Sequence, residues 1–243
     1  MMDLNKANEE FIIKELSPTI SLSTDVKKVA QTSHSSVYRG FSQKYKRDVA
    51  IKLINRSLIP LHLAKTYLPR ELKVSSRVYH PHLLRSLEII HIREYTIIVS
   101  EYCPRGSLIT ALKAVGRFSE EEAYRLFRQL IEAIHYMHTH RLAHRDVKLE
   151  NILLTNQNDI KLIDFGFAKR LEVGRERTQS GCGSIPYTAL SVIEKRPYNP
   201  FQTDFYSCGF VLCTMLTGRW PMDAEKRARL GGTPIDYWLI DSG

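Results

Sequence analysis

A short polar stretch in the middle of the chain, "HRDVKLEN" (144–151), places side chains of complementary chemistry a few positions apart. Asp146 could accept a proton from a hydroxyl, Lys148 could neutralise an anionic group, and Asn151 offers a hard amide oxygen. Asp164, which opens the later "DFG" sequence, adds carboxylate oxygens of the kind that Mg²⁺ prefers. These residue types suit phosphoryl transfer, because that reaction needs charge to be neutralised and the attacking hydroxyl to be held in line.

A lysine in a strand-like sequence completes the set. Lys52 ends "VAIK", whose apolar alternation predicts a strand rather than an exposed turn. With "HRDVKLEN" and "DFG" following in this order, it resembles the motifs of the eukaryotic protein kinase family, serine/threonine type. The resemblance implies an α+β, bilobal fold, with a small N-terminal β-rich lobe and a larger helical C-terminal lobe that lacks its last helices. It also implies ATP and Mg²⁺ as cofactors and protein substrates with Ser or Thr hydroxyls.

The resemblance assigns catalytic roles to four residues. Asp146 would orient the substrate hydroxyl and accept its proton, and Lys148 would neutralise the γ-phosphate. Lys52 would reach the α- and β-phosphates, and Glu71, in the middle of a helix predicted over 58–79, would hold its ammonium group in place.

The nucleotide would be bound by residues from both lobes. Asn151 and Asp164 would hold Mg²⁺ where it bridges the phosphates. The adenine would lie beneath Ala50 and against "SEYC" (100–103), with Ser100 as a small gatekeeper. The full set predicted for nucleotide binding is Ala30, Val37, Ala50, Lys52, Glu101, Cys103, Asn151 and Asp164.

Further residues are assigned to substrate positioning and regulation. Ser184 would brace the catalytic lysine and aspartate, and Glu150 resembles the residue with which basophilic kinases bind an arginine upstream of the target. Ser180, with Thr178 nearby, lies where the family carries a regulatory phosphate, which could pair with Arg145. A solvated carboxylate at Glu150 and unmodified hydroxyls in the loop are alternatives that stay open.

The loop expected to cover the phosphates, "KKVAQTSHSSVYRG", departs from the family pattern. Ala30, Thr32 and Ser35 stand where glycines would permit positive φ and a close approach of backbone N–H groups to phosphate. Val37 and Gly40 remain in place, so the alignment is sound. We expect nucleotide affinity to be weaker by about 1–2 kcal/mol, roughly tenfold, rather than lost.

Several sequences resemble the testis-specific serine/threonine kinases, within the calcium/calmodulin-dependent-like group. They are "YLPREL", "HRDVKLENILL", "KLIDFGFAKR" and "GCGSIPYTAL". This finer resemblance implies a role in sperm development.

The C-terminal part departs from the family. "ALS" (189–191) replaces the usual Ala-Pro-Glu, and the residues after 222 match no kinase pattern. In the family, the glutamate of Ala-Pro-Glu pairs with an arginine from the late helices. The loss of both is consistent, because a buried carboxylate without its partner is costly. An exposed lower face, a partner that covers it, and a truncated gene model are three explanations that the sequence leaves open.

The order of strand-like and helix-like segments predicts the organisation of the chain. A capping box at Ser119 and Glu122 predicts the start of a long amphipathic helix. The predicted segments are a polar lead-in (1–24), an N-lobe (25–103), a truncated C-lobe (104–222) and a divergent tail (223–243).

Composition limits the remaining function classes. The chain has 243 residues and a formal net charge of +9, but its basic residues are scattered, which indicates a solvated surface rather than a nucleic-acid site. No apolar run is long enough to span a membrane, and the polar start is unlike a secretory signal. The four cysteines lack metal-ligand or redox spacing, so we expect reduced thiols in a cytoplasmic protein. A kinase is the first hypothesis, a pseudokinase that serves as a scaffold the second, and nucleic-acid binding the third.

Overall fold

A computed structural model describes residues 2–221, without the side chains of residues 2–6, 62, 63 and 185. The predicted divergent tail lies outside the described residues.

Internal contacts divide the chain into two units. The first comprises the residues up to Arg77 together with Leu84–Tyr102. The second comprises Val78–Leu83 together with the residues from Cys103 onward.

The first unit is built on a five-stranded antiparallel sheet in the order β1-β2-β3-β5-β4. Its strands are β1 Lys27–Gln31, β2 Ser35–Ser42, β3 Arg47–Asn55, β4 Ser86–Ile92 and β5 Tyr95–Glu101. Along β3, Val49, Ile51 and Leu53 are at most 1% exposed, whereas Ala50 and Lys52 point to the opposite face because side chains alternate along a strand. The sheet therefore has one face that is buried along β3 and one face that carries the predicted lysine.

Helix α2, Leu61–Ser75, packs on the face that carries Lys52. Its Leu68 forms a small apolar cluster with Ile54 and Ile98. The sequence pattern extended this helix over 58–79, but it begins only after Pro60, whose ψ of 136° is extended. The predicted helix is therefore correct in position and too long at both ends.

Helix α1, Met2–Ile20, covers the other face of the sheet. Its Ile12, Leu16 and Ile20 are at most 2% exposed and belong to the same cluster as Ile51 and the other buried residues of that face. Burying side chains of this size contributes about 1.5–3 kcal/mol each. This corrects the description of residues 1–24 as a polar lead-in: the apolar residues recur at helical spacing among charged ones, and a low overall hydropathy conceals them.

The second unit contains helices and short strand pairs. The helices are α3 Leu108–Val115, α4 Glu120–Thr139, α5 Leu190–Ile193 and α6 Pro200–Thr217. The strand pairs are β6 Leu142–Ala143 with β9 Lys169–Arg170, and β7 Ile152–Leu154 with β8 Ile160–Leu162. Single 3₁₀ turns occur at Leu149–Asn151 and Ile185–Tyr187. A sheet unit followed by a mainly helical unit confirms the predicted α+β class.

The predicted start of α4 is confirmed in one half and wrong in the other. Ser119 caps the helix, its Oγ accepting a hydrogen bond from the Glu122 N–H at 3.2 Å. The Glu122 carboxylate does not close a capping box; it accepts a hydrogen bond from Asn158 Nδ2 at 3.0 Å. The Glu122 side chain therefore ties the first turn of α4 to the turn between β7 and β8.

Helix α6 ends at Gly218, which adopts φ 67° as the C-cap, a conformation that costs glycine little. Within residues 2–221, no helix combines the length and the apolar character needed to cross a bilayer. The four cysteines all lie in this described part and form no disulfide there.

Candidate active site

The first unit places the predicted lysine and glutamate together. Lys52 Nζ lies 2.7 Å from Glu71 Oε1, which projects from α2. The Lys52 side chain is 34% exposed and the Glu71 side chain 15%, so the pair is partly shielded from water. The arrangement fixes the ammonium group on the open side of β3 and leaves part of it accessible to an anion.

The predicted nucleotide residues of the sheet lie in a row across neighbouring strands. Ala30 of β1 pairs with Val37 of β2, and Val37 pairs with Lys52 of β3. Ala50 of β3 pairs with Ser100 of β5. Since partners in register share a face of the sheet, these side chains form a common surface.

The segment after β5 is divided between the units. Glu101 is the last residue of β5, and its carboxylate accepts a hydrogen bond from the Arg85 N–H at 3.1 Å. Cys103 belongs to the second unit, is 6% exposed, and its carbonyl accepts a hydrogen bond from the Gly106 N–H. The role predicted for their backbone in adenine binding stays a prediction.

The glycine-poor loop forms a tight turn between β1 and β2. Thr32 Oγ1 accepts hydrogen bonds from the backbone N–H groups of Ser35 at 3.1 Å and His34 at 3.4 Å. The positive-φ residues of the described chain do not include Ala30, Thr32 or Ser35, so the expected conformational cost of replacing glycine is wrong at these positions. The Thr32 hydroxyl instead occupies N–H groups that a phosphate would need.

The second unit gathers three polar residues around one buried carboxylate. Asp146 is 4% exposed, and its Oδ2 lies 2.8 Å from Lys148 Nζ and 3.0 Å from Asn151 Nδ2. Its Oδ1 accepts hydrogen bonds from the N–H and the hydroxyl of Ser184, both at 2.9 Å. Lys148 Nζ also donates to Ser184 Oγ at 2.7 Å. These contacts fix the orientation of the carboxylate, which is the kind of group that can act as a general base.

The two predicted magnesium ligands lie at the same end of the β7–β8 pair. The Ile163 N–H donates to the Asn151 carbonyl at 2.9 Å, so Asn151 lies directly beside the residue that precedes Asp164. Asn151 Nδ2 donates to Asp146, which leaves the amide oxygen as the atom suited to a cation. Asp164 adopts φ 65°, and its Oδ1 accepts a hydrogen bond from Gly166.

This donor set fits Mg²⁺ better than a fully protein-bound metal. Among the described residues, no three His, Cys, Asp or Glu side chains are grouped so that they could hold a metal ion. Mg²⁺ is commonly bound by one or two protein carboxylates, with phosphate oxygens and waters completing its shell. One amide oxygen and one carboxylate meet that requirement.

The predicted regulatory residues are in contact. Arg145 Nη1 donates to Ser180 Oγ at 2.8 Å, and Ser180 Oγ lies 3.0 Å from Thr178 Oγ1. Lys169 Nζ donates to Thr178 Oγ1 at 2.7 Å. Thr178 is buried at 9% exposure, whereas Ser180 is exposed. An enzyme could therefore reach Ser180 more easily than Thr178, and two cations lie close by.

A tyrosine that the sequence did not indicate holds Glu150. The Tyr187 hydroxyl donates to Glu150 Oε2 at 2.9 Å. Burial, followed by the nearby Glu150 charge, raises the pKa of Tyr187, so the hydroxyl keeps its proton and remains a donor. Glu150 itself is exposed. Its carboxylate is thus oriented by a buried partner, a feature that a freely solvated side chain would lack.

Asp204 is a further residue that the sequence analysis missed. It is 1% exposed and lies in α6. Its carboxylate accepts hydrogen bonds from the backbone N–H groups of His144 at 2.8 Å and Arg145 at 2.7 Å, and it lies 2.8 Å from His138 Nε2. The available signal was a single acid in an otherwise apolar helix, since a buried charge needs partners elsewhere.

Comparisons with known proteins agree with this geometry. The family model described as the protein kinase domain matches residues 23–236. The chain is 38% identical to the SNF1-related protein kinase catalytic subunit alpha KIN12 of Arabidopsis thaliana, over 73% of this chain and 36% of that protein. It is 37% identical to Testis-specific serine/threonine-protein kinase 2 of Mus musculus, over 79% of this chain and 55% of that protein. It is also 37% identical to Serine/threonine-protein kinase SIK2 of Gallus gallus, over 81% of this chain and 25% of that protein.

These matches confirm the resemblance drawn from the motifs, including its serine/threonine type, and a testis-specific kinase is among the relatives. The chain spans 36%, 55% and 25% of the lengths of these three curated relatives.

Proposed function

The chain belongs to the protein kinase family, and from this premise we propose that it is a protein serine/threonine kinase. It transfers the γ-phosphate of ATP to Ser or Thr hydroxyls of protein substrates. The observation that carries the proposal is the buried Asp146 carboxylate, on which Lys148, Asn151 and Ser184 converge.

Each unit supplies its own part of the chemistry. In the second unit, Asp146 orients the substrate hydroxyl and accepts its proton, while Lys148 neutralises charge on the transferred group. Asn151 and Asp164 would hold Mg²⁺, which would neutralise charge on the phosphates. In the first unit, Lys52 binds phosphate oxygens with its position fixed by Glu71.

A pseudokinase is not favoured. The charged residues proposed for the transfer are all present, and in the second unit Lys148 and Asn151 contact Asp146. The departures from the family lie in the phosphate loop and from Ala189 onward, outside this group of residues.

The proposal is tested by incubating the purified chain with radiolabelled ATP, Mg²⁺ and Ser- or Thr-containing peptides. We expect transfer to hydroxyl peptides and none to peptides with alanine at that position. Thermal stabilisation by ATP without any transfer would support the pseudokinase and contradict the proposal.

Lys52→Met is expected to lower kcat/KM for ATP about a hundredfold, because removing one preorganised electrostatic contact costs about 10²–10³ in rate. Lys44→Met is the matched control: Lys44, in the turn between β2 and β3, also forms an ion pair of 2.8 Å, with Glu88, but has no predicted contact with the nucleotide. Steady-state kinetics should show the loss in the first variant only. Equal activity of the two variants would show that Lys52 has no part in the transfer.

The substrate proposal follows from Glu150. Its carboxylate, oriented by Tyr187, would bind an arginine upstream of the target residue through charge-assisted hydrogen bonds. The similarity to a testis-specific kinase extends the proposal to expression in testis and a role in sperm development, which transcript measurements across tissues would test.

Phosphorylation of Ser180 is expected to raise activity about tenfold, within the usual range of coupling free energies. A phosphate there would take the place of the hydroxyl that Arg145 now contacts and would pair with its guanidinium bidentately. Activity of protein phosphorylated at Ser180 should therefore exceed that of Ser180→Ala. In Arg145→Lys, which lacks the planar fork, phosphorylation should give little gain; a full gain in that variant would exclude this contact as the route.

A further inference from the structure

A buried carboxylate in α1 contacts the strands that carry the phosphate loop. Glu9 is 8% exposed. Its Oε1 accepts a hydrogen bond from Ser36 Oγ at 2.7 Å, and its Oε2 accepts from Tyr38 at 2.6 Å and lies 2.7 Å from Lys28 Nζ. All three partners belong to β1 or β2, so the charge of one helix residue ties both strands of a single hairpin.

The contacts of Glu9 are not needed to hold α1 on the sheet. The helix is anchored by fully buried apolar residues, including Ile12, Leu16 and Ile20. Burying a carboxylate opposes folding unless its partners compensate. Burial alone would raise the pKa of Glu9, but hydrogen bonds from Lys28, Tyr38 and Ser36 outweigh it and lower the pKa. The carboxylate is thus charged and fully engaged with the hairpin.

The hairpin ends in the turn that is expected to cover the phosphates. Ser36 and Tyr38 flank Val37, whose side chain points to the opposite face and pairs in register with Lys52. Fixing both neighbours from behind therefore fixes the position of Val37. The turn beyond β1 is closed by Thr32 and does not have the adaptability that glycines would provide.

We propose that Glu9 is a positioning residue for nucleotide binding, which holds the β1–β2 hairpin in place and thereby sets the affinity for ATP. The inference rests on the proposed function, because it takes this hairpin to be the phosphate loop. A loop that is fixed by the fold before binding loses less conformational entropy when the ligand arrives. Helix α1 thus supplies the order that a glycine-poor loop cannot obtain by adapting to the phosphates.

The test compares Glu9→Gln with Glu15→Gln in the full chain. Glu15 lies on the same helix, is 38% exposed, and contacts Arg93 at 3.4 Å instead of the hairpin. In Glu9→Gln we expect the Kd and the KM for Mg·ATP to rise about fivefold, as expected when preorganisation is lost, with kcat within about twofold of wild type. Glu15→Gln should leave these constants unchanged.

Hydrogen exchange of the nucleotide-free protein gives a readout that does not depend on catalysis. Amides of residues 28–38 should exchange faster in Glu9→Gln than in wild type, while those of β3 and β5 should not change. Tyr38→Phe removes one donor from the other side of the contact and should shift exchange and Kd in the same direction. If Glu9→Gln does not fold, Tyr38→Phe provides the test instead.

The outcomes separate the inference from the proposed function. Unchanged exchange in the hairpin, or faster exchange with an unchanged Kd for ATP, would overturn the role of Glu9 and leave the kinase proposal standing. A wild-type protein that does not bind Mg·ATP would overturn the kinase proposal itself, and the role of Glu9 with it.

Discussion

Asp146→Asn is expected to lower kcat about a thousandfold, within the range of 10²–10⁴ that general acid–base catalysis contributes. The amide cannot accept the proton of the substrate hydroxyl. It keeps one oxygen that can accept hydrogen bonds from Ser184, as Asp146 Oδ1 does, so the fold should persist. It also removes the negative charge beside Lys148 Nζ, which weakens the orientation of that lysine. Steady-state transfer of phosphate to a Ser peptide measures the loss.

The matched control is Asp159→Asn in the same unit. Asp159 is 44% exposed and binds Arg125 and Gln129, away from the predicted catalytic residues. The Asp159→Asn protein should retain the wild-type kcat. The KM for ATP should change little in either variant. The contrary outcome is an Asp146→Asn protein that folds, binds ATP and keeps more than about a tenth of the wild-type kcat. This result would contradict the role of Asp146 as proton acceptor, because a loss of kcat below about tenfold is smaller than the range for general base catalysis.

Asp204→Ala is expected to lower the free energy of unfolding by about 3–5 kcal/mol, the usual cost of breaking a buried charged contact. The substitution leaves the backbone N–H groups of His144 and Arg145 without their acceptor. Arg145 also adopts φ 68°, a conformation that costs about 1–3 kcal/mol and persists only when its surroundings enforce it. Losing Asp204 should therefore release the segment that carries Asp146. Urea denaturation measures the change.

Two further variants show whether the effect of Asp204→Ala is specific to the buried carboxylate. Asp204→Asn keeps one acceptor oxygen, so it should lose about half as much stability and retain measurable kcat. Asp159→Ala, at an exposed site, should cost no more than about 1 kcal/mol. A stability of Asp204→Ala equal to that of Asp159→Ala would show that the carboxylate does not hold the catalytic segment.

The predicted phosphate loop shows what residue types alone did not reveal. Ala30, Thr32 and Ser35 stand where glycines would permit positive φ. The turn avoids positive φ at these positions, and the Thr32 hydroxyl closes it through hydrogen bonds. The β-branched side chain is thus part of the turn, and its hydroxyl engages N–H groups that a phosphate would otherwise bind. The weaker affinity for nucleotide stays a prediction.

Helix α1 was also missed from the sequence, because residue composition alone did not show its buried face. Its sequence mixes Ile12 and Leu16 with several acidic and basic residues, so its mean hydropathy suggests an exposed segment. Only the packing of the sheet shows that one face of this helix completes a core. The capping residue Ser119, by contrast, acts within one turn of its own helix, and such local signals could be predicted.

The sequence by itself determined which residues are predicted to carry the chemistry. Proton transfer, charge neutralisation and magnesium binding each demand a particular kind of side chain, and Asp146, Lys148 and Asn151 lie within one short segment, so their types and spacing are sufficient to predict these roles. Only the tertiary structure decided what holds that chemistry in place. Glu9 meets Ser36 and Tyr38 across 27 and 29 positions of the chain, and Asp204 meets His144 across 60. A carboxylate so far from its partners has no local signature, because its role arises from the burial and the hydrogen bonds that folding creates.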